Sequence, residues 1–507
     1  MKYFLMLIQL WVGFLPICAS YPKANIWIIP SVESPQVYRN YAQTSKVHLE
    51  MARGEVEHIQ LVFPSKVNEE YRFTFDRNLK GIQISARELK KMNGYYDALV
   101  PFKNQLKCTD TLTAVWITVQ CPSRVPVGKY HQTIKIEGSK HFTIQLDYNV
   151  HHTTIPLKSS IPITVGVENR CVAEGLNDKE ADKERQRWVD FVLSYRMTPV
   201  FGTQITPERW QYEHSFSPWA WNDKRSIRLL NDRRYSCYML PFFTLSENEL
   251  ASLLCNIQKK GKLKESLFYI WDEPAYMEDY EQIKQKVNII RKYASDARIL
   301  TTFFCGPRNG PRKGDLYAVF DYLKHHIHVA TISLAPCKGN EEEVQHIRYK
   351  VPEGIDWWSY VCWQPGGNEP NFLLQMKGIQ QRAIMWRTWK NGSQGFLYWN
   401  CNIYHKRNPF TYITDMPHGD GILIYPGDIL GRKGPIASAR LERWRDGAEE
   451  MELLRLVEKN YSKEKADTLL NIVYSSPLSF IEKAHNIPFF RKELLDQLDK
   501  TIPIDYK

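Results

Sequence analysis

The stretch Leu267-Phe268-Tyr269-Ile270-Trp271-Asp272-Glu273-Pro274 is an apolar run that ends in two acids and a proline. A short run that is apolar throughout predicts a strand buried on both faces, as in a parallel sheet. The segment after it carries apolar residues at spacings of 3, 4, 3 and 4, namely Tyr280, Ile283, Val287, Ile290 and Ala294. That spacing places them on one face of a helix. A buried strand followed by such a helix is the repeating unit of a parallel α/β fold.

The same unit recurs from about Pro162 to roughly Pro435. Further apolar runs occupy residues 163–167, 238–243, 299–304, 329–334, 357–361 and 396–399. About eight strands in this length predict a (β/α)8 TIM-like barrel, which we assign to residues 159–437. An open doubly wound sheet is the alternative. Such a sheet would be expected to carry a phosphate-binding loop. Neither GxGxxG nor GxxxxGK[ST] occurs in the chain, which favours the barrel.

The segments on either side of the predicted barrel have different patterns. Residues 21–158 hold short β-rich runs, such as 59–63 and 114–119, separated by turn residues. This favours an N-terminal β-sandwich. Residues 438–507 are helical in pattern, with one apolar stripe formed by Leu441, Trp444, Ala448, Met451 and Leu454. We expect a closing helix and a small helical extension there.

Residues 1–20 have the features of a secretory signal peptide. Met1-Lys2 gives a positive start, an apolar run follows to Ile17, and Cys18-Ala19-Ser20 offers small residues for cleavage. We therefore expect a secreted or periplasmic protein with no integral membrane span. Cys18 is alternatively the lipid-modified cysteine of a bacterial lipoprotein, although Ile17 fits such a signal poorly.

The composition is that of a globular protein, with 43% apolar and 24% charged residues in a chain of 507. The net charge of +11 is spread along the chain, and nothing resembles a DNA-reading module. We expect no nucleic-acid partner. Without Cys18 the cysteines number nine, and no CxxC pair occurs, so neither a complete disulfide framework nor a metal site is expected. Cys108 and Cys121 are the candidate pair, with free thiols as the alternative. The sequence implies no cofactor and leaves the oligomeric state open.

Asp272 and Glu273 are the candidate catalytic residues. In a parallel barrel the active site lies at the carboxyl ends of the strands, where these acids would stand. Alternation along a strand would send them to opposite faces, but a turn near Pro274 can bring both towards the pocket. The other interpretation is that Asp272 caps the next helix beside a solvated Glu273.

Aromatic residues gather near the predicted strand ends. The chain holds 15 Trp, and six of them lie between residues 356 and 404. Aromatic faces stack on sugar rings, while their polar edges bond hydroxyl groups. The residues we expect to contact a sugar are Trp271, Trp358, Tyr360, Tyr398, Trp399 and Asn400. Trp386 and Trp389, on a predicted helix, are interpreted as core.

Two carboxylates in unequal environments suit glycoside hydrolysis, which needs a proton donor and a group that stabilises an oxocarbenium-like state. Burial and the charge of Asp272 would keep Glu273 protonated. Adjacent residues are badly placed to act on opposite faces of a sugar. Adjacency therefore suggests that the substrate's own 2-acetamido group attacks, with Asp272 orienting it and Glu273 acting as acid and base.

The sequence resembles glycoside hydrolase family 123 and the related bacterial domains of unknown function 4091. The matching pieces run in order along the mature chain: Ala52-Arg53-Gly54-Glu55, Trp271-Asp272-Glu273-Pro274, Trp357-Trp358-Ser359-Tyr360, Phe396-Leu397-Tyr398-Trp399-Asn400, Gly419-Asp420-Gly421 with Tyr425-Pro426-Gly427, and Ser438 through Arg440-Leu441-Glu442 to Arg445-Asp446-Gly447. The resemblance implies a β-sandwich followed by a (β/α)8 barrel. It also implies a retaining exo-β-N-acetylgalactosaminidase, some relatives acting on glycosphingolipid sugars, with Asp272 as amide stabiliser and Glu273 as general acid/base.

Two alternatives remain open at this point. One is a conventional retaining β-glycosidase in which Glu369, within Gly366-Gly367-Asn368-Glu369-Pro370, is the nucleophile. Glu369 is otherwise an exposed loop residue. The second is a non-catalytic carbohydrate-binding protein that keeps the aromatic pocket. The expected partner in every case is a glycan, as a glycoconjugate oligosaccharide or a glycolipid head group.

Overall fold

A computed structural model describes residues 26–76, 80–206, 211–404, 409 and 419–501. The predicted signal peptide and Cys18 lie outside these residues. The domain boundaries predicted at 158/159 and 437/438 fall between described elements.

The N-terminal region is built of strands. Their bounds are β1 Trp27–Pro30, β2 Lys46–Arg53, β3 Glu55–Pro64, β4 Glu70–Phe75, β5 Gln83–Met92, β6 Tyr95–Pro101, β7 Gln105–Lys107, β8 Leu112–Cys121, β9 Gly128–Glu137 and β10 His141–Thr154. They form two five-stranded sheets, ordered β1-β3-β8-β5-β6 and β2-β10-β9-β4-β7. Leu61 and Ile117 from the first sheet share one core with Phe73 and Ile134 from the second. This is the strand-rich arrangement that the short alternating runs predict.

The middle region alternates strands and helices. The strands are β11 Ile163–Glu168, β12 Thr198–Thr206, β13 Gln211–Ser215, β14 Tyr238–Met239, β15 Ser266–Trp271, β16 Arg298–Phe303, β17 Val329–Ser333, β18 Asp356–Val361 and β19 Phe396–Tyr398. The helices are α1 Asn169–Ala173, α2 Asp178–Ser194, α3 Lys224–Leu229, α4 Glu247–Lys259, α5 Met277–Arg291, α6 Ala318–Leu323, α7 Glu341–Tyr349 and α8 Gly378–Lys390.

These nine strands form one nearly closed, barrel-like sheet of order β13-β12-β11-β19-β18-β17-β16-β15-β14. Strands β11 and β19, from the two ends of this region, pair in parallel and join its halves. Among the described residues, β12 pairs with the antiparallel β13 and not with β14. The predicted (β/α)8 barrel is therefore confirmed only as a nearly closed, barrel-like sheet, which has the additional strand β13 and ends at β13 and β14.

Strand β15 is buried along its whole length. Leu267 and Tyr269 face the barrel interior with Trp358, Tyr360 and Leu397. Phe268 and Ile270 belong to the large core shared with the helices. This two-sided burial explains why the run contains no polar residue. The apolar stripe of α5 is buried, as its spacing predicts.

The C-terminal region follows a small hairpin. Its elements are β20 Ile424–Pro426, β21 Pro435–Ala437, α9 Ala439–Asn460, α10 Lys463–Leu470 and α11 Ile487–Asp499. Helix α9 has 22 residues, 17 of them buried, because it contacts α8, α10, α11 and strands β3 and β6 of the N-terminal sheets. No helix within the described ranges has the length and hydropathy needed to cross a membrane.

Candidate active site

Asp272 and Glu273 follow β15 at the carboxyl end of the barrel-like sheet. The pairing of β15 with β16 shifts register between Tyr269 and Trp271, which breaks the strand's alternation. Glu273 then adopts a left-handed backbone with a φ of 43°, unusual for a residue with a side chain. Its backbone N–H donates to the Thr302 hydroxyl at 3.0 Å. Such a conformation persists where surrounding contacts fix it, and it is typical of functional sites.

The Asp272 carboxylate is held by two hydroxyl donors. The hydroxyls of Tyr269 and Thr302 each donate to Oδ1 at 2.7 Å. Two hydrogen bonds to one oxygen fix the orientation of the carboxylate. The other oxygen, Oδ2, has no bond of this kind among the described contacts. Asp272 is thus arranged as an oriented acceptor.

Glu273 differs from Asp272 in having a raised pKa. Its side chain is accessible from the open cleft, yet surrounding atoms desolvate the carboxylate. This desolvation, followed by repulsion from Asp272, raises the pKa of Glu273 to about 7. The Tyr360 hydroxyl donates to Oε1, and this bond, like the charge of Arg308, opposes the rise. A carboxyl group that titrates near neutrality can serve as both acid and base.

A cavity of about 60 Å³ adjoins Asp272. Its lining includes Gly166, Gly202, Tyr212, His214, Tyr269, Trp399 and Asn400. A Cβ at Gly166 would lie 1.8 Å from the Trp399 carbonyl oxygen, so only glycine lets these strands approach. The cavity is small, and its size suits a substituent of a sugar.

His214 on β13 contributes a neutral polar group to this cavity. Its ring stacks on Tyr269 with centroids 4.2 Å apart and an interplanar angle of 8°. Burial lowers the pKa of His214 to about 3, so the imidazole is uncharged at neutral pH. It stacks on the ring whose hydroxyl orients Asp272.

Trp399 is positioned by the turn that contains Asp420. Its indole Nε1–H donates to Asp420 Oδ1 at 3.0 Å, and the Tyr398 hydroxyl donates to the same oxygen at 3.0 Å. A Cβ at Gly421, whose φ is 69°, would lie 2.5 Å from the Trp399 ring. The turn therefore fixes the indole where it borders the cavity.

The catalytic-domain model of glycoside hydrolase family 123 matches residues 183–457, more than half of the chain. The chain belongs to glycoside hydrolase family 123. It is therefore a glycoside hydrolase, and its substrate is a glycan.

Solved structures agree with this family at the level of the fold. A family 123 glycoside hydrolase from Clostridium perfringens, studied for glycolipid glycan hydrolysis, is 14% identical with a TM-score of 0.66. The match covers 94% of this chain and 97% of that one. A GH2 β-galacturonidase from Eisenbergiella tayi is 9% identical, covering 78% and 90%, with a TM-score of only 0.33. No curated protein sequence matches the chain.

The candidate site brings together only some of the residues that the sequence predicts to contact a sugar. Tyr360 reaches Glu273, while Trp399 and Asn400 line the cavity. Tyr398 also borders the cavity, but its ring packs against Phe372 and Trp444. The Tyr398 hydroxyl donates to Asp420 instead of facing a sugar.

Trp358 and Trp271 lie away from the cleft, which does not favour their predicted contact with a sugar. Trp358 is 1% exposed inside the barrel, two residues below Tyr360 on the same strand face. Trp271 is 7% exposed in the core shared with the helices, and the Lys286 ammonium lies 5.4 Å from its ring. Position at a strand end did not specify which way each ring turns.

Glu369, the alternative nucleophile, is neither exposed nor directed at this site. It is 7% exposed, and Arg387 Nη1 donates to its Oε2 at 2.9 Å. Gln380 donates to its backbone carbonyl. None of its described contacts is with Asp272, Glu273 or the cavity, so its role is that of a structural ion pair.

Sequence reasoning missed Thr302 and His214. Thr302 had a visible signal, because Thr301 and Thr302 interrupt an otherwise apolar strand near its carboxyl end. His214 had none, since β13 is a short strand outside the strand–helix repeat. The nine cysteines within the described ranges are free thiols, Cys108 and Cys121 included.

Proposed function

We propose that this family 123 enzyme removes terminal β-linked N-acetylgalactosamine, or a related 2-acetamido sugar, by exo-acting, retaining, substrate-assisted hydrolysis. The observation that supports this most directly is the asymmetry of the acid pair. Asp272 borders a small cavity that suits a small substituent such as an acetamido group. Glu273 carries the raised pKa.

In the first step, the acetamido group occupies the cavity and its N–H donates to Asp272. The amide oxygen then forms a bond to the anomeric carbon as the bond to the leaving oxygen breaks. Glu273 gives its proton to that oxygen, and the sugar becomes an oxazolinium ion. The negative charge of Asp272 stabilises the positive charge that develops on the amide.

In the second step, the ionised Glu273 removes a proton from water. The water oxygen bonds to the anomeric carbon, the bond from the amide oxygen breaks, and the acetamido group is restored. Glu273 is protonated again and ready for another cycle. Each step inverts the anomeric carbon, so the product keeps the configuration of the substrate.

The conventional two-carboxylate mechanism has little support, because Glu369 is bound to Arg387. Glu369→Gln should keep activity per folded molecule within a few-fold, although loss of the ion pair will lower stability. Activity is to be normalised to folded protein by circular dichroism. A loss of a thousandfold or more would restore Glu369 as the nucleophile.

The test of the proposed activity compares aryl glycosides of β-N-acetylgalactosamine, β-N-acetylglucosamine and β-galactose, with a thiazoline analogue as inhibitor. We expect hydrolysis of an acetamido sugar and strong thiazoline inhibition. Equal cleavage of the plain β-galactoside would refute substrate assistance. Sugar binding without turnover of any glycoside would instead support a carbohydrate-binding protein.

We further propose export through residues 1–20, with the enzyme acting on glycoconjugate or glycolipid glycans outside the cytoplasm. Cell fractionation of the full chain and of a chain lacking residues 1–20 tests this. Cys18→Ser separates the two signals, because it abolishes membrane anchoring of a lipoprotein and leaves a secreted protein unchanged. Cytoplasmic retention of the full chain would contradict export.

A further inference from the structure

The loop after β16 carries an arginine beside the catalytic acid, and two hydrogen-bonded residues fix it there. The Arg308 backbone N–H donates to the Ala275 carbonyl at 2.6 Å. Asn309 accepts from the Met277 backbone N–H at 2.8 Å through its side-chain oxygen and donates to Glu278. The loop is thus fixed against Ala275, two residues beyond Glu273, and against the start of α5 at Met277.

Arg308 has no acidic partner in an ion pair within the described chain. Its guanidinium is exposed and lies near the side chains of Tyr276 and Cys305. Arg312 in the same loop is paired with Asp315 and Asp321. Arg308 therefore keeps its charge and donors available at the rim of the cleft.

Two exposed aromatic rings belong to the segments that carry Glu273 and its partner Tyr360. Tyr276 is 48% exposed and Trp363 is 44% exposed, whereas most Trp in this chain are buried. Tyr276 lies three residues after Glu273, and Trp363 lies three residues after Tyr360, whose hydroxyl donates to Glu273. Exposed aromatic rings beside a catalytic acid offer stacking faces to a sugar.

The position of these groups relative to the acid pair determines which sugar they meet. The acetamido sugar is placed by Asp272 and its cavity. Glu273 must reach the oxygen that leaves, so groups beyond Glu273 meet the leaving half of the substrate. We propose that Arg308, Tyr276 and Trp363 form an aglycone subsite that selects a leaving sugar bearing an oxyanion, as a uronate carboxylate or a sulfate ester. Guanidinium matches both oxyanions in geometry and charge. This inference rests on the proposed function.

The test measures kcat/KM for disaccharides in which a 2-acetamido sugar is β-linked to the leaving sugar. One pair compares glucuronic acid with glucose as the leaving sugar, and the other compares sulfated galactose with galactose. We expect an acidic-to-neutral ratio of about ten at low salt for at least one pair, typical of a partly exposed charge-assisted bond. The pair that shows it identifies the oxyanion. Arg308→Gln should bring the ratio close to one, and about 1 M NaCl should do the same in the wild type, since screening is then nearly complete.

Two variants separate charge from stacking. Lys313→Gln removes an exposed cation from the same loop and should keep the acidic-to-neutral ratio of kcat/KM. Trp363→Ala should lower kcat/KM for acidic and neutral substrates by the same factor. Arg308→Gln should also move the alkaline limb of the pH profile upward, because the Arg308 charge lowers the pKa of Glu273.

A ratio near one in the wild type, or an unchanged ratio in Arg308→Gln, would overturn the subsite while the acetamido specificity stands. If no glycoside is hydrolysed, the proposed function fails. The acidic-to-neutral ratio of binding affinities is then measured by calorimetry for the two disaccharide pairs. A ratio near one, or a ratio unchanged in Arg308→Gln, would overturn the subsite.

Discussion

Two groups of acids in this molecule occupy opposite environments. Asp272 and Glu273 stand at an open cleft, bound by hydroxyl donors and, within the described chain, in no ion pair. The second group, which we call the charge cluster, is buried where the N-terminal sheets meet α9 and α11. Its members are Glu55, Glu57, His58, Arg382, Glu442, Arg445, Asp446, Glu450 and Arg491.

In the charge cluster, cations neutralise the acids. Arg382 pairs with Asp446 at 3.1 Å and with Glu450 at 2.6 Å, and all three side chains are at most 2% exposed. Arg491 joins Glu55 and Glu57 at 2.8 Å each. These acids hold two parts of the fold together. From this difference we infer that the acid pair at the cleft serves the chemistry and that the paired acids of the charge cluster serve the architecture.

The largest effect should come from the cleft. Glu273→Gln removes the transferable proton and should lower kcat/KM for an unactivated disaccharide by about a thousandfold, within the usual range for general acid–base catalysis. The unfolding temperature should stay constant, since no ion pair is lost. Kinetics and thermal unfolding measured on one preparation check both. A fall in stability as large as that expected for the charge cluster would instead give Glu273 an architectural role.

Glu281→Gln is the matched control for that variant. Glu281 is an exposed acid on α5, eight residues from Glu273, and it should retain activity and lose about 0.5 kcal/mol of stability or less with its exposed pair to Lys284.

The charge cluster should show the reverse behaviour. Arg382→Met leaves Asp446 and Glu450 buried with fewer partners and should lower the free energy of unfolding by about 3–5 kcal/mol. Activity of the folded fraction should be retained. Urea unfolding measures the loss. Lys492→Met, which breaks the exposed pair with Asp496, is the control and should cost about 0.5 kcal/mol or less.

Two tryptophans sharpen the comparison. Trp399→Ala should raise KM about tenfold, as expected for loss of one aromatic contact, and should cost less stability than Trp358→Ala because the ring is only half-buried. Trp358→Ala should instead cost about 3–5 kcal/mol of stability, because it empties the barrel interior. Steady-state kinetics and urea unfolding of both variants distinguish the roles. Equal effects on KM would return Trp358 to the sugar-binding set.

The smallest expected effect is a shift in pH dependence. Glu273 must be protonated for the first step, so kcat/KM should fall as pH rises through about 7. The Tyr360 hydroxyl stabilises the ionised carboxylate. Tyr360→Phe should therefore raise the pKa of Glu273 and move the alkaline limb upward. A downward shift would mean that the hydroxyl favours the protonated acid.

The parts of the fold that depend on local pattern were predictable. The apolar run 267–271, the stripe of α5 and the acids at the strand end all follow from spacing and polarity within a short window. The orientation of Trp271 and Trp358 was not, because it depends on register and on a shift between β15 and β16 that neighbouring residues do not encode.

Long-range partners were likewise outside the reach of the sequence. The sequence around Glu442 and Asp446 predicted only an amphipathic helix. Their partner His58 lies almost 400 residues earlier in the chain. The same holds for His214, whose stacking on Tyr269 requires the hairpin of β12 and β13 to be in place.

The central claim is that the substrate's own amide attacks while Asp272 holds it. The most direct measurement is kcat/KM for aryl β-glycosides whose N-acetyl group carries zero, one, two or three fluorine atoms. Fluorine withdraws electrons from the amide oxygen, so the account predicts a steep, progressive fall along the series. A rate that stays flat across the four substrates would contradict it.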